Sequence, residues 1–563
     1  MKINVALQRL KLVLAACGAL APFASAAQVH AATVPAIAAP AASRPQPAPE
    51  QCRRLADFAT VRTAGDALRE TLAALPEAPT ALLQAEIVAA VDDLPEVCRV
   101  SGIVAPDIQF ELRMPTRAWN GKFMHYGCGG ACGVVYRPQL DEALSRGYAV
   151  VASDMGHSGA PTNWLFMYAN LQAVVDFAYR ATHVVTIAAK AVVASYYGIA
   201  PRYSYFMGCS TGGVQGVIEA QRYPQDFDGI IAGAPAYSSG PTFIEWGMRA
   251  NLDAEDRGIV DPAKLPMLRK AVLARCDRLD GYVDGILQDP RACDFDPGEL
   301  QCAQGDAPDC LSAAEVTVVR KLYAGPSTSE GASLAYGQGG LSKGSEYDWP
   351  SLYVRGKGVP SIGNPFGFTI YGNGVYPVAA ANAGKPYDYD ADPKRGNLYY
   401  MGQTLGWLRY AGNPDLRRFR DQGGKLILWH GWDDMEVAPG ASADYYEITE
   451  RAMGGRDETQ KFFRLFMLPG VAHCRRGPGC DAVDWITYLE RWVEQGQAPD
   501  EVISHHLVKE QNYLGLPRPR YPLPAGSFDH TRPVYPYPAI AQYRGRGDPA
   551  QASSWRQGEL KRR

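Results

Sequence analysis

The stretch Tyr203-Ser204-Tyr205-Phe206-Met207-Gly208-Cys209-Ser210-Thr211-Gly212-Gly213-Val214 decides how this chain is read. Tyr203 to Met207 is short, apolar and aromatic, which predicts a strand, and Val214 to Arg222 predicts a helix. Between them, Gly208-Cys209-Ser210-Thr211-Gly212 fits G-x-S-x-G at a strand-to-helix turn, the context of a nucleophile elbow. Gly and Ser are common in any turn, so the motif alone means little. The strand before it and the helix after it turn it into a candidate nucleophile, Ser210, with the Thr211 backbone N–H placed to donate to an oxyanion.

Outward from this turn, strands and helices alternate. Ile108 to Met114, Lys122 to Tyr126, Tyr148 to Ala152 and Ile230 to Pro235 predict strands, and Asn170 to Tyr197 a long helix. Cys52 to Cys98 shows helical periodicity. The βαβα order implies an α/β fold with a mostly parallel sheet and helices on both faces. From about Ala236 to Tyr410 the chain is rich in Gly, Pro, Asp and Tyr, and sheet-like sequence returns at Lys425 to Trp429 and Phe463 to Leu468. The organisation expected is therefore a core in two parts, 51–235 and 411–563, with a large inserted lid over 236–410.

A serine nucleophile needs a base, and the base an orienting carboxylate, here in the chain order Ser, Asp, His. The strand at 425–429 runs into His430-Gly431-Trp432-Asp433-Asp434, which offers Asp433 or Asp434. The strand at 463–468 runs into Pro469-Gly470-Val471-Ala472-His473-Cys474, which offers His473. Cys209 precedes Ser210 and Cys474 follows His473, so meeting of the two loops brings these cysteines within disulfide reach. The second oxyanion donor is expected from Gly127-Cys128-Gly129-Gly130-Ala131-Cys132-Gly133, with Gly130 favoured and Gly129 next. In Cys276-Asp277-Arg278-Leu279-Asp280-Gly281-Tyr282-Val283-Asp284-Gly285-Ile286, three carboxylates share one glycine-punctuated loop. That is either a solvated acidic turn or a site for a hard cation, and its spacing is not that of an EF-hand.

The 563 residues are 47% hydrophobic and 20% charged, and the net charge of -3 gives no electrostatic case for nucleic acid or an anionic membrane. Lys2, Arg9 and Lys11, the apolar run from Leu12 to Phe23 and Ala24-Ser25-Ala26 read as a signal peptide over 1–26. A lipoprotein box ending at Cys17 is the alternative. Residues 27–50 read as an Ala/Pro-rich leader. Export to a secreted or periplasmic location makes disulfides the default state of the cysteines. The chain holds 12 of them, and loss of Cys17 with the signal leaves an odd number. No stretch is long and apolar enough to span a membrane, and nothing sets the oligomeric state.

Taken together, Gly147-Tyr148-Ala149-Val150, Asp154-Met155-Gly156-His157, Tyr203 to Gly213, Gln221-Arg222-Tyr223-Pro224-Gln225-Asp226-Phe227-Asp228-Gly229-Ile230 and Gly423 to Gly431 resemble the tannase/feruloyl esterase family of α/β-hydrolases, from Cys52 to about Pro499. The resemblance implies Ser210 as nucleophile, Asp434 rather than Asp433 as acid, His473 as base, and a Cys209–Cys474 disulfide. It also implies a structural Ca2+ in the lid, on Asp277, Asp280 and Asp284 with the carbonyls of Tyr282 and Ile286. Further implied pairs are Cys276–Cys293, Cys302–Cys310 and Cys52–Cys98, with Cys128, Cys132 and Cys480 outside them. The substrate it implies is a small aromatic ester, such as a feruloyl or galloyl ester. A terephthalate monoester hydrolase, a broad aryl esterase and a catalytically silent binding module are the alternatives. Met435 stands where the family usually has Pro, and the lid from Gly337 to Tyr400 matches poorly.

Overall fold

Strands whose residues are buried on both faces form the centre of the molecule. The structure, a computed structural model, describes residues 49–55, 67–167, 170–237, 240–255, 257–325, 339–359, 408–508 and 519–559. The signal peptide and nearly all of the leader expected at 1–50 lie outside these residues. The main sheet holds β1 Thr80–Val88, β2 Val97–Val104, β3 Ile108–Pro115, β4 Lys122–Tyr126, β5 Ala149–Ser153, β6 Tyr203–Cys209, β7 Gly229–Gly233, β8 Lys425–Gly431 and β9 Phe463–Leu468. Their order across the sheet is β1-β2-β3-β5-β4-β6-β7-β8-β9. From β5 through β4 and on to β9 every pairing is parallel, while β1, β2, β3 and β5 pair antiparallel. β5, β7 and β9 are buried along their whole length, as parallel strands covered on both faces must be.

One face packs against the helices Ala181–Tyr197 and Thr211–Arg222 through residues such as Val184, Val192, Val217 and Phe206. The other packs against the helix Trp485–Gln495 through Trp485, Leu489 and Trp492. The long helix expected over 170–197 is continuous but carries a π-helical turn at Asp176–Arg180. The helical periodicity read from Cys52 to Cys98 does not extend that far. Its described helices are Pro49–Arg54 and Ala67–Ala73, and Thr80–Val88 is an edge strand. The Ala, Leu, Gln and Glu of that strand favour a helix in isolation, but eight register pairs with β2 override the preference.

Between β7 and β8 runs the inserted segment. Its described helices Gly240–Ala250, Leu265–Cys276 and Ala313–Ala324 share a core of their own around Leu268, Val319, Leu322 and Trp349. No strand lies in it among the described residues. After β9 the chain adds two separate ribbons, β10 Val502–Leu507 with β11 Phe528–Val534 and β12 Ile540–Tyr543 with β13 Trp555–Gly558. Among the described residues no helix is long and apolar enough to cross a membrane.

Candidate active site

Parallel register brings the C-terminal ends of β6, β7, β8 and β9 side by side: Cys209 pairs with Gly233, Gly233 with Trp429, and Gly431 with Leu468. Loops leaving those ends must meet above one edge of the sheet. Ser210 follows β6 with φ 62°, a left-handed conformation rare for a residue with a side chain. Its N–H donates to the Gly233 carbonyl at 2.9 Å, and its carbonyl accepts from Val214 and Ala236 at 3.1 Å each, so the strained turn is held from three sides. Gly213 is required there, because a Cβ would lie 2.1 Å from the Gly233 carbonyl oxygen.

Asp434 and His473 meet in the loops after β8 and β9. His473 Nδ1 lies 2.6 Å from Asp434 Oδ2, and both side chains are buried. The other Asp434 oxygen accepts the backbone N–H groups of Glu436 and Val437 at 2.9 Å each. His430 Nε2 adds a contact at 3.1 Å to Oδ2, and His430 Nδ1 is 2.8 Å from Ser442 Oγ. Burial disfavours the Asp434 charge, yet the His473 and His430 imidazoles outweigh it and hold this carboxyl far below its ordinary range. Burial likewise disfavours the charged form of His473, but the Asp434 and Glu436 carboxylates prevail and raise its pKa. Asp433, the other carboxylate of the pair, is buried and pushed up to about 7 by burial and by Glu346, and it faces Tyr347 of the inserted segment. The arrangement therefore brings Asp434, not Asp433, to His473.

A disulfide joins Cys209 to Cys474 with a Cα separation of 6.1 Å, so Ser210 and His473 are each next to one end of a covalent bridge. The pairs Cys52–Cys98, Cys276–Cys293 and Cys302–Cys310 are also formed. Of the three cysteines without an assigned partner, Cys128 pairs with Cys132, and Cys480 is free and buried, its thiol pushed up to about 12 by burial.

The glycine loop after β4 lies against the elbow. Most of its N–H groups are spent: Gly127 on Met207, Cys128 on Gln215, Ala131 on Pro161, Cys132 on Gly129 and Gly133 on Asp154. Among the described residues, the N–H groups of Gly129 and Gly130 have no acceptor. Gly130 adopts φ 58°, and a Cβ there would sit 2.4 Å from the Pro161 oxygen. The Thr211 hydroxyl donates to the Gly130 carbonyl at 2.7 Å and accepts from the buried Arg409 guanidinium at 3.2 Å. Arg409, Glu436 and His430 belong to no catalytic motif of the sequence, and only their spatial neighbours draw attention to them.

The acidic loop of the inserted segment is folded on itself. Asp277 accepts from the N–H groups of Asp284 and Gly285, Asp280 Oδ1 from Tyr282, and Asp284 Oδ1 from Ile286. Among the described residues Asp280 Oδ2 is buried with no hydrogen-bond partner, and burial together with Asp284 and Asp277 raises that carboxyl to about 7. Arg532 of β11 donates to Asp284 Oδ2 at 3.0 Å. Crowded carboxylates with one oxygen left over suit a hard cation.

A doubly covered parallel sheet with a serine at the sharp turn after β6, and a buried His–Asp pair in the loops after β9 and β8, defines an α/β-hydrolase. Residues 93–557 match the family described as tannase and feruloyl esterase, and the chain belongs to that family. It is 35% identical over 523 residues to a mono(2-hydroxyethyl) terephthalate hydrolase of Piscinibacter sakaiensis, covering 81% of this chain and 83% of that one. It is 30% identical over 458 residues to a probable feruloyl esterase of Arthroderma benhamiae, covering 79% and 81%. The crystal structure of feruloyl esterase B from Aspergillus oryzae shares the fold, with a TM-score of 0.73 at 24% identity over 91% of this chain and 100% of that one. This protein is accordingly a carboxylic ester hydrolase.

Proposed function

We propose that the protein is an exported hydrolase of aromatic acid esters, of the feruloyl or galloyl type, working through a Ser210–His473–Asp434 acyl-enzyme mechanism. The observation that carries this reading is the buried 2.6 Å contact between His473 Nδ1 and Asp434 in a loop bridged to the serine elbow. Asp434 fixes the imidazole so that Nε2 faces the reacting atoms. His473 takes the Ser210 proton, Ser210 attacks the ester carbonyl, and the oxyanion is held by the N–H groups of Thr211 and a loop glycine, Gly130 or Gly129. The imidazolium then protonates the leaving alcohol, and His473 activates the water that releases the acid. Ca2+ would be held by the side chains of Asp277, Asp280 and Asp284 and the carbonyls of Tyr282 and Ile286, where it supplies structural charge neutralisation. The five disulfides among the described residues suit an oxidising compartment, which supports export.

Hydrolysis of a terephthalate monoester is the second reading, favoured by the 35% identity to the hydrolase of that name. A turnover panel of methyl ferulate, methyl gallate and mono(2-hydroxyethyl) terephthalate, run beside fluorophosphonate labelling of wild type and Ser210→Ala, tests both. Turnover of a phenolic ester with labelling lost in the variant is expected. Folded wild-type protein that takes no label would overturn the catalytic role of Ser210, and turnover of the terephthalate ester alone would favour the second reading.

A further inference from the structure

The ribbon of β10 and β11 is a separate two-stranded sheet, anchored at one end through the buried Val502 and Val534. In its antiparallel register His506 lies directly opposite His530, and the two rings stack with centroids 4.7 Å apart. Asp529 Oδ1 lies 2.8 Å from His506 Nδ1 and 2.6 Å from His530 Nδ1. Two imidazole nitrogens and a carboxylate oxygen thus converge within 4.8 Å of one another on a solvent-reachable surface that the hydrolytic mechanism does not use. A second trio, His183, Glu219 and Asp226, converges in the same way but packs beside the Lys190 ammonium, which already supplies its positive charge.

We propose that His506, His530 and Asp529 form a binding site for a divalent first-row transition cation of the zinc class. Two nitrogens and one oxygen form a borderline donor set that zinc accepts, with a fourth position left for water. The all-oxygen acidic loop of the lid prefers a harder ion, so the two sites sort their cations by chemistry. Such a clip would close the long connection between the two strands, the case in which a cross-link restricts the unfolded chain most. It would also steady β11, whose Arg532 braces the acidic loop at Asp284 and packs its guanidinium 4.3 Å from the centre of the Trp555 ring.

Calorimetric titration of the full protein with zinc chloride, in buffer holding excess Ca2+, tests the site. Wild type is expected to bind one equivalent saturably and to gain thermal stability with zinc. His506→Ala with His530→Ala should lose that binding. Asp529→Asn, which keeps the shape of the side chain, should bind at least about tenfold more weakly, since even outer-shell changes at metal sites cost about 10–100-fold. Absence of saturable zinc binding by wild type, or undiminished affinity in the double variant, overturns the proposal.

Discussion

Glu436 places Oε2 3.9 Å from Nε2 of His473, the ring nitrogen opposite the one that Asp434 holds. In the proposed mechanism that nitrogen must be unprotonated to accept the Ser210 proton. A neighbouring carboxylate favours the imidazolium and so raises the pH at which the base becomes available. Glu436→Gln removes that charge, lowers the His473 pKa, and should move the acid limb of the kcat/KM profile to lower pH by about one unit, which corresponds to about 1.4 kcal/mol. Profiles of wild type and variant on one phenolic ester check this, and superimposable acid limbs would show that Glu436 does not act on the base.

Thr211 has two separable duties, a backbone N–H toward the oxyanion and a hydroxyl that donates to Gly130 at 2.7 Å while accepting from Arg409. Thr211→Val keeps the first and deletes the second, and it leaves the buried Arg409 without that acceptor. The glycine loop then loses its tie to the elbow, and kcat should fall about tenfold, less than the 10²–10³ typical of losing an oxyanion donor outright. KM should change little, because the lost bond positions a donor and does not hold substrate. Steady-state kinetics separate the two parameters, and an equal rise in KM with constant kcat would assign the hydroxyl to substrate binding.

What was legible in the sequence is what is local. Ser210, Asp434 and His473 each sit one turn beyond a short apolar strand, and Cys209 and Cys474 mark the two loops that meet. His430, Glu436 and Arg409 were not legible, because their roles depend on which loops face each other in space, and no spacing encodes that. The edge strand Thr80–Val88 was hidden for a related reason: its composition favours a helix, and only its partner β2 makes it a strand. The sequence leaves the pairing of Cys128 with Cys132 open, because it depends on the glycine loop curling back on itself, with the Cys132 N–H on the Gly129 carbonyl.

The Cys209–Cys474 bridge closes a separation of 265 residues, so removing it frees a very long loop in the unfolded chain. The paired substitution Cys209→Ser with Cys474→Ser should cost about 2–4 kcal/mol of stability. It should also lower kcat at temperatures where the protein stays folded, since serine and imidazole lose a covalent constraint on their alignment. Thermal unfolding and kinetics on the same preparation test both parts. A variant that unfolds early yet turns over at the wild-type rate when folded would restrict the bridge to a stabilising role.

The acidic loop of the inserted segment sets two opposite expectations against each other. If the loop holds the Ca2+ proposed for it, that cation neutralises Asp277, Asp280 and Asp284, and at a hundredfold excess over Kd it stabilises the fold by about 2.7 kcal/mol. Chelation should therefore lower the Tm of wild type. Without the cation the same carboxylates repel each other, and the buried Asp280 Oδ2 has no donor to offset its desolvation. Asp280→Asn removes one of those charges, so it should be less stable than wild type in Ca2+ and at least as stable in chelator. This crossing of the two stability orders is specific to a cation site. A merely solvated acidic turn would leave wild type indifferent to chelation and the variant displaced by the same amount in both buffers.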